Sequence, residues 1–321
     1  DNDLVRKDFI MLMYDIVIIG AGTAGMSAAI YGVRSGKKVL LLEEKNYGGQ
    51  IVNTPEVENY PGIIKTSGFE FATNLFNQAK SLGAEIKYEK AVEIKNNGVL
   101  KEVVTNKETY ETKAIIIATG AKNRSLKLDK EKELIGSGVS YCATCDGMFF
   151  RGRDVAVVGG GNTALEDAMF LSNYCNKVYI IHRRDKLRGE EKIAKAISEK
   201  DNIEMVWNSN VVKLIGDDKV EGITVKNSVD GSEKDIQVSG LFIAVGQEPD
   251  NYDFEEVVEL DDKGYVIAGE DCKTESKGIF TAGDCRTKNV RQLTTAASDG
   301  AVAAIGACEY IDSELDTKNT K

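Results

Sequence analysis

The sequence predicts an α/β protein built on two nucleotide-binding units, each a strand, a glycine turn, a helix and a second strand. Three observations carry that prediction. A glycine fingerprint follows an apolar run at Gly20-Ala21-Gly22-Thr23-Ala24-Gly25, another follows at Gly159-Gly160-Gly161-Asn162-Thr163-Ala164, and Cys142-Ala143-Thr144-Cys145-Asp146 lies between them. Each fingerprint leads into a helical stretch and a further apolar run, an alternation expected of parallel strands covered by helices. The 321 residues suffice for two domains with separate cores.

In the first unit, Tyr14 to Ile19 is a short apolar run, Met26 to Val33 has helical composition, and Lys38 to Leu42 is the second strand. Gly20 permits the tight turn, Gly22 lets the backbone approach a pyrophosphate, and Gly25 lets helix and strand pack closely. The amino end of the helix offers unpaired N–H groups to the phosphate. Glu43 stands 23 residues after Gly20, where a carboxylate accepts bonds from ribose hydroxyls. Gly48-Gly49-Gln50 and the stretch Pro55 to Gly62, with two of the three prolines, read as a rigid loop. Phe69 to Leu82 is an amphipathic helix, Ile86 to Tyr110 short strands and turns, and Lys113 to Gly120 a buried strand meeting a turn. A polar connector runs from Lys122 to Leu134.

The second unit repeats this outline, with a strand from Arg153 to Val158, a helix through Ala168 and Leu171, and a strand from Lys177 to Ile181. Its counterpart to Glu43 is His182, followed by Arg183, Arg184 and, a few residues on, Arg188. An acid there repels a 2′-phosphate, whereas clustered guanidinium groups bind it through charge-assisted bonds. The second unit is therefore expected to prefer NADP over NAD, and the first to hold a different dinucleotide. A charged helix and short strands follow, down to Leu241 to Gly246, and Gln247 to Asn251 then breaks the pattern like a hinge. The tail holds Gly278 to Asp284, a strand ending in a turn with an acid at its tip, then Arg291-Gln292 and a small-residue helix from Ala296 to Ala307.

The Cys142 and Cys145 pair has three readings: half of a zinc site, two inert core cysteines, or a redox disulfide. Zinc takes four ligands, and Cys175, Cys272, Cys285 and Cys308 contain no second such pair. The only histidine, His182, belongs to another motif, which also rules out a Ser-His-Asp or Cys-His arrangement built elsewhere. Redox chemistry is the reading that uses both nucleotide units. Proton transfer then needs a non-histidine group, and Asp146 is the acid that stands beside the thiols in the chain.

The formal charge of -10, from 41 basic and 51 acidic residues, argues against sequence-independent nucleic-acid binding. No apolar run approaches the roughly 20 residues that span a bilayer. Six scattered cysteines do not make a secreted disulfide scaffold, so a cytoplasmic protein is expected. Residues 1–13 read as an extension or cloning remnant ahead of a natural start near Met11 or Met13, not as a signal peptide.

From Tyr14 to about Ala307 these motifs closely resemble the low-molecular-weight, bacterial-type thioredoxin reductases, flavoproteins that use FAD and NADPH. The resemblance implies two Rossmann-like three-layer nucleotide-binding domains, the second inserted into the first. Residues 14–121 plus 247–321 would form the FAD domain, and 122–246 the NADPH domain that carries the disulfide. Gly20, Gly22, Gly25, Glu43 and Gly120 would contact FAD, with Gln50 and Asn59 near the isoalloxazine and Asp284, Arg291 and Gln292 near the ribityl-phosphate region. Gly159, Gly161, Asn162, Thr163, His182, Arg183, Arg184 and Arg188 would hold NADPH. Cys145 would face the flavin, Cys142 would attack thioredoxin, and Asp146 would serve as acid and base. Hinges near Ala121 to Arg124 and Gly246 to Asp250 would let the domains rotate, and the resemblance also suggests a homodimer. Rival readings are a peroxiredoxin-directed reductase, which needs an amino-terminal thioredoxin-like domain that the 19 residues before Gly20 do not supply, a ferredoxin-dependent relative, which would lack the arginine cluster, and a non-enzymatic flavin redox sensor.

Overall fold

The computed structural model describes residues 13–189 and 191–319, with side chains as far as Ser313. The extension expected over residues 1–13 lies outside the described residues apart from Met13, which begins the first strand.

Met13–Ile19, Val39–Glu43, Glu85–Tyr88, Thr109–Ile117 and Ile279–Thr281 are the parallel strands of the first sheet. Thr109–Ile117 is shared by two neighbours on one side. Its first half pairs antiparallel with Leu100–Thr105, which continues to Ala91–Asn97, while Ile115 to Ile117 pair with Ile279–Thr281. The central strands are apolar on both sides because both faces are covered. Helices Thr23–Arg34, Gly68–Ser81 and Leu293–Asn319 close one face over Ile16, Ile18, Leu41 and Ile116. The last helix lies directly on the first, where a Cβ at Gly300 would stand 2.1 Å from the Ala24 carbonyl oxygen. The other face is closed by the hairpin and by Phe254, Val258 and Val266.

The second sheet is wholly parallel, in the order Ile203–Val206, Lys177–Ile181, Asp154–Val158, Gly240–Ile243, Val139–Ser140. Helices Asn162–Ser172 and Glu191–Ser198 pack on one face, around Leu165, Ala168 and Phe242. A three-stranded antiparallel sheet, Ser209–Ile215, Gly222–Asn227 and Glu233–Ile236, covers the other. All strands of this second unit fall, in chain order, between Thr109–Ile117 and Ile279–Thr281 of the first.

The chain leaves the first unit and returns to it through one ribbon, Ala121–Asn123 paired antiparallel with Gln247–Pro249. Arg124 N–H donates to the Gly246 carbonyl at 3.0 Å, and Lys122 pairs with Asp250 at 2.7 Å. The expected α/β class is therefore what the chain adopts. Two local expectations change: the break at 247–251 is a paired strand, and the helix expected from Ala296 to Ala307 runs from Leu293 to Asn319. Sequence pattern undervalued both, since a three-residue strand has no period and the distal helix is polar.

Candidate active site

The first fingerprint forms one wall of a cleft of about 420 Å³. Gly20 sits at φ 107°, and a Cβ on it would stand 2.4 Å from the Ala118 carbonyl oxygen; one on Gly25 would stand 1.8 Å from the Gly20 carbonyl oxygen. Those two glycines are imposed by close packing of turn, helix and strand. Gly22 has open space where a side chain would be, and the helix it caps receives no side-chain cap hydrogen bond, so the first N–H groups of the helix are presented to the cleft. Glu43 accepts from Ala21 N–H and Lys45 N–H, both at 2.9 Å, which fixes the carboxylate at the end of its strand. Gln50, Gly120 and Asp284 line the same cleft. Asp284 Oδ1 is buried without a hydrogen-bond partner, and burial pushes its carboxyl up against the pull of Lys288 and Arg291. Arg291 lies over the Tyr265 ring, 4.3 Å from its centroid, and donates to the carbonyls of Asp284, Arg286 and Lys288, so it shapes the turn after Asp284.

A deeper network holds that turn. Arg286, 1% exposed, donates from Nε and Nη2 to the two carboxylate oxygens of Asp299 at 2.8 and 2.9 Å, while Lys288 Nζ and Gly283 N–H donate to Oδ2 at 2.9 Å each. Asn251, fully buried, accepts from Thr119 Oγ1 and donates to the carbonyls of Gly264 and Cys285. None of these was a sequence candidate, because nothing local marks a residue whose partners lie more than ten positions away.

Cys142 and Cys145 are joined as a disulfide on the short helix Ala143–Asp146. Ser140 organises that turn, accepting from Cys142 N–H at 3.1 Å and donating to Asp146 Oδ2 at 2.6 Å. Burial pushes the Asp146 carboxyl up, with the Ser140 bond opposing, which favours the protonated acid near the sulfurs. The disulfide lines a cleft of about 650 Å³ with Gln50, Asn59, Asp146, Asp284, Arg291 and Gln292. Gln292 spans it: its amide accepts from Asn59 at 3.2 Å, donates to Thr144 at 3.2 Å and stands 3.9 Å from Cys142 Sγ. Thr163 and an acid the sequence did not single out, Asp167, line this cleft too.

Apart from Thr163, the second fingerprint lies outside this cleft. Gly161 has open space and caps a helix that has no side-chain cap bond, with Asn162 and Thr163 exposed at its start. His182 is 3% exposed, lies under Gly160, and bonds the Lys186 carbonyl at 3.0 Å, so it shapes the turn from beneath. Arg183, Arg184 and Arg188 are exposed, and among the described residues none is in an ion pair. The structure thus gathers Gln50, Asn59, Cys142, Cys145, Asp146, Asp284, Arg291, Gln292 and Thr163 at one cleft, and Gly20, Gly22, Glu43 and Gly120 at the cleft adjoining it. Gly25 lies behind the first turn, and Gly159, Gly161, Asn162, His182 and the three arginines line neither cleft. The remaining cysteines, Cys175, Cys272, Cys285 and Cys308, are buried, with burial pushing Cys175 up to about 11 and Cys272 up to about 12.

A disulfide held against a nucleotide cleft, with a second nucleotide unit behind it, defines a nucleotide-dependent disulfide oxidoreductase. The family described as pyridine nucleotide-disulphide oxidoreductase matches residues 14–300. Thioredoxin reductase from Listeria monocytogenes is 44% identical over 301 residues, covering 94% of each chain. The crystal structure of thioredoxin reductase from Streptococcus pyogenes superposes with a TM-score of 0.90 at 40% identity, covering 94% of this chain and 99% of that one. Lactococcus lactis thioredoxin reductase in the FR conformation is 41% identical, with the same 94% and 99% covered, yet its TM-score is 0.64. The chain belongs to the pyridine nucleotide-disulphide oxidoreductases and, within them, to the thioredoxin reductases. That membership brings FAD and NADPH as cofactors. The residues present fit two dinucleotides: two helix ends without a side-chain cap behind open glycines, a buried Asp284 oxygen awaiting a donor, and surface arginines that among the described residues make no ion pair and could take a phosphate.

Proposed function

We propose that this chain is an NADPH-dependent thioredoxin-disulfide reductase in which residues 14–121 plus 247–321 hold FAD and residues 122–246 hold NADPH and carry the reactive disulfide. Bound FAD and NADPH supply a two-electron path from nicotinamide to the Cys142–Cys145 disulfide. The single observation that supports this best is the cleft in which the disulfide of one unit faces Asn59, Asp284 and Gln292 of the other. Gly20, Gly22, Gly25, Glu43 and Gly120 seat the adenosine half of FAD; Gln50, Asn59, Asp284, Arg291 and Gln292 bound its other end. Arg183, Arg184 and Arg188 take the 2′-phosphate of NADPH over Gly159, Gly161, Asn162 and Thr163, with His182 supporting the turn. Cys145 is the sulfur that exchanges electrons with the flavin and Cys142 the one that attacks thioredoxin. Asp146, held by Ser140 and biased toward its protonated form, gives a proton to the departing sulfur and recovers it on the return step.

The nicotinamide-binding face and the disulfide belong to the same unit, but in this arrangement the disulfide lines the cleft and, of the second fingerprint, Thr163 alone does. Each must reach the flavin, so the units exchange positions by rotation about the Ala121–Asn123 and Gln247–Pro249 ribbon. The fall in TM-score from 0.90 to 0.64 between two relatives of nearly equal identity supports two arrangements of the same units. Cytoplasmic residence and a homodimer complete the reading. Among the described residues no helix is long and apolar enough to cross a membrane. The test is NADPH oxidation by the purified flavoprotein with its cognate thioredoxin, counting the thiols released. One dithiol per NADPH is the expected result. Oxidation of NADPH with no thiol formed would sink the assignment, as would a ferredoxin requirement.

A further inference from the structure

Besides Asp146 and Asp284 the cleft is lined by Glu56, which is paired with Lys65, and by Asp167. Asp167 sits on the helix Asn162–Ser172, one turn after Thr163 and one turn before Leu171. Leu171 and Phe170 lie against Gly147, whose absent Cβ would stand 2.9 Å from Leu171 Cδ2. The helix face that carries Asp167 is therefore packed on the turn that carries Cys145 and Asp146, and all three residues line the cleft of about 650 Å³. Among the described residues Asp167 makes no hydrogen bond or ion pair, so no structural bond accounts for a carboxyl group placed there.

On the reading of a thioredoxin-disulfide reductase, the chemistry needs such a group. Converting one S–S bond to two thiols takes two electrons and two protons. Oxidation of NADPH to NADP⁺ supplies both electrons and one proton as a hydride, so one more proton enters from solvent for each disulfide reduced. We propose that Asp146 gives its own proton to the sulfur leaving the S–S bond while Asp167, which holds this solvent proton, passes it to Asp146 as the replacement. Asp146 is thereby returned to its protonated form, and Asp167 is left as a carboxylate until it takes the next proton from the cleft. Asp167 acts through Asp146 and is a positioning residue for the proton.

Burial pushes Asp167 up to about 7, with the charge of neighbouring Glu166 adding to it, so the group is poised to gain and lose a proton near neutrality. The other charged groups around it are Asp146 on the disulfide turn, and Glu56, Lys122, Lys132, Asp284 and Arg291 along the cleft. The elements packed on its helix carry Asp154, Lys177 and Tyr179 on the strands and Glu191, Lys192 and Lys195 on the next helix.

The experiment is single-turnover reduction of the enzyme's own disulfide by NADPH in the FAD-loaded protein, without thioredoxin, from pH 5.5 to 8.5, with new thiols trapped and counted. In the unaltered protein the rate should fall as pH rises through about 7, because Asp167 loses the proton it delivers. Asp167→Asn, of the same size and neutral, should be slower by about tenfold at low pH, less than the ~10²–10⁴ of a donor that meets the sulfur because it acts through Asp146, and flat through neutrality. Asp167→Glu should restore the falling limb. The proposal is overturned if Asp167→Asn keeps the unaltered pH profile, or loses rate equally at every pH as a packing defect would. Thioredoxin turnover, measured separately, reports on the enzyme assignment itself, so the two failures are distinguishable.

Discussion

Replacing Asp299 by Asn keeps the side chain's shape and removes the charge that four buried donors share. In the folded protein Asp299 receives Arg286 twice, Lys288 once and the Gly283 N–H once, at 2.8 to 2.9 Å. An amide has one acceptor oxygen and turns an N–H₂ toward the remaining donors. Arg286, 1% exposed, is left as a buried cation with only the exposed Glu270 at 3.5 Å as counter-charge, a loss of about 3–5 kcal/mol. Because Gly283 N–H is one of the four, the Asp284 turn should loosen and FAD should be released more readily. The sequence offers a convenient pair of probes. Trp207 is the only tryptophan and lies in the second unit, whereas flavin emission reports the first. Denaturant titration of the flavin-loaded protein should therefore show the flavin transition moved to lower denaturant and the tryptophan transition unmoved. The effect has a defined pH sign. Burial opposes ionisation of Asp299, but the bonds from Arg286 and Lys288 outweigh it and hold the carboxyl below its usual range. Its contribution is fully present above the unfolded value near 3.9 and is lost as pH falls through the lower folded value, so the gap between the two proteins should close in acid. A flavin transition displaced by less than about 1 kcal/mol at pH 7 would refute the reasoning, since that is the size of one ordinary hydrogen bond.

Three further outcomes are expected. Arg183→Ala combined with Arg184→Ala should raise the KM for NADPH by roughly a hundredfold and leave NADH nearly unchanged, and equal use of both nucleotides by the unaltered protein would contradict the assignment. Asp146→Asn should slow disulfide reduction by ~10²–10⁴ while flavin reduction by NADPH continues, and Cys142→Ser should keep flavin reduction but lose thioredoxin reduction; rapid-mixing absorbance separates these steps. A Pro55→Cys, Gly136→Cys pair should lock the two units when oxidised, because a Cβ on Gly136 would already stand 2.4 Å from Pro55 Cγ. Steady-state turnover should fall to background in the locked protein and return once the bridge is reduced and the reductant removed, and full turnover by a locked sample would rule out rotation.

The parts legible in the sequence were those with a period or a fingerprint. Lys177 to Ile181 was located to the residue because a fully covered parallel strand is an unbroken apolar run, and the two glycine turns announced themselves by spacing. The candidate disulfide and Asp146 were legible because they are contiguous. What stayed hidden was whatever depends on distant partners. Ser140 looks like any loop serine until it is seen holding Asp146, and Asp299 like any helix acid until Arg286 reaches it across a turn. Asp167 reads as a solvent-facing helix residue beside Glu166, and only packing of its helix on Gly147 brings it to the cleft that the sulfurs line. His182 stands in register with Glu43, yet Glu43 ends up at the rim of a cleft and His182 under a turn.

The ribbon through which the chain departs and re-enters has a consequence for synthesis. A nascent chain emerges amino end first, and domains fold as units while it does so. By Ile243 the second unit has every strand of its own sheet, whereas the first still lacks Ile279–Thr281 along Ile115 to Ile117 and the helix Leu293–Asn319 over Ile16 and Ile18. The earlier-born unit is thus the later one to close, and it waits on the ribosome with an open strand edge and a bare apolar face. Chaperones that bind nascent chains should find their grip on the first unit, and truncations ending before Ile279 should yield a folded second unit tethered to an aggregation-prone first.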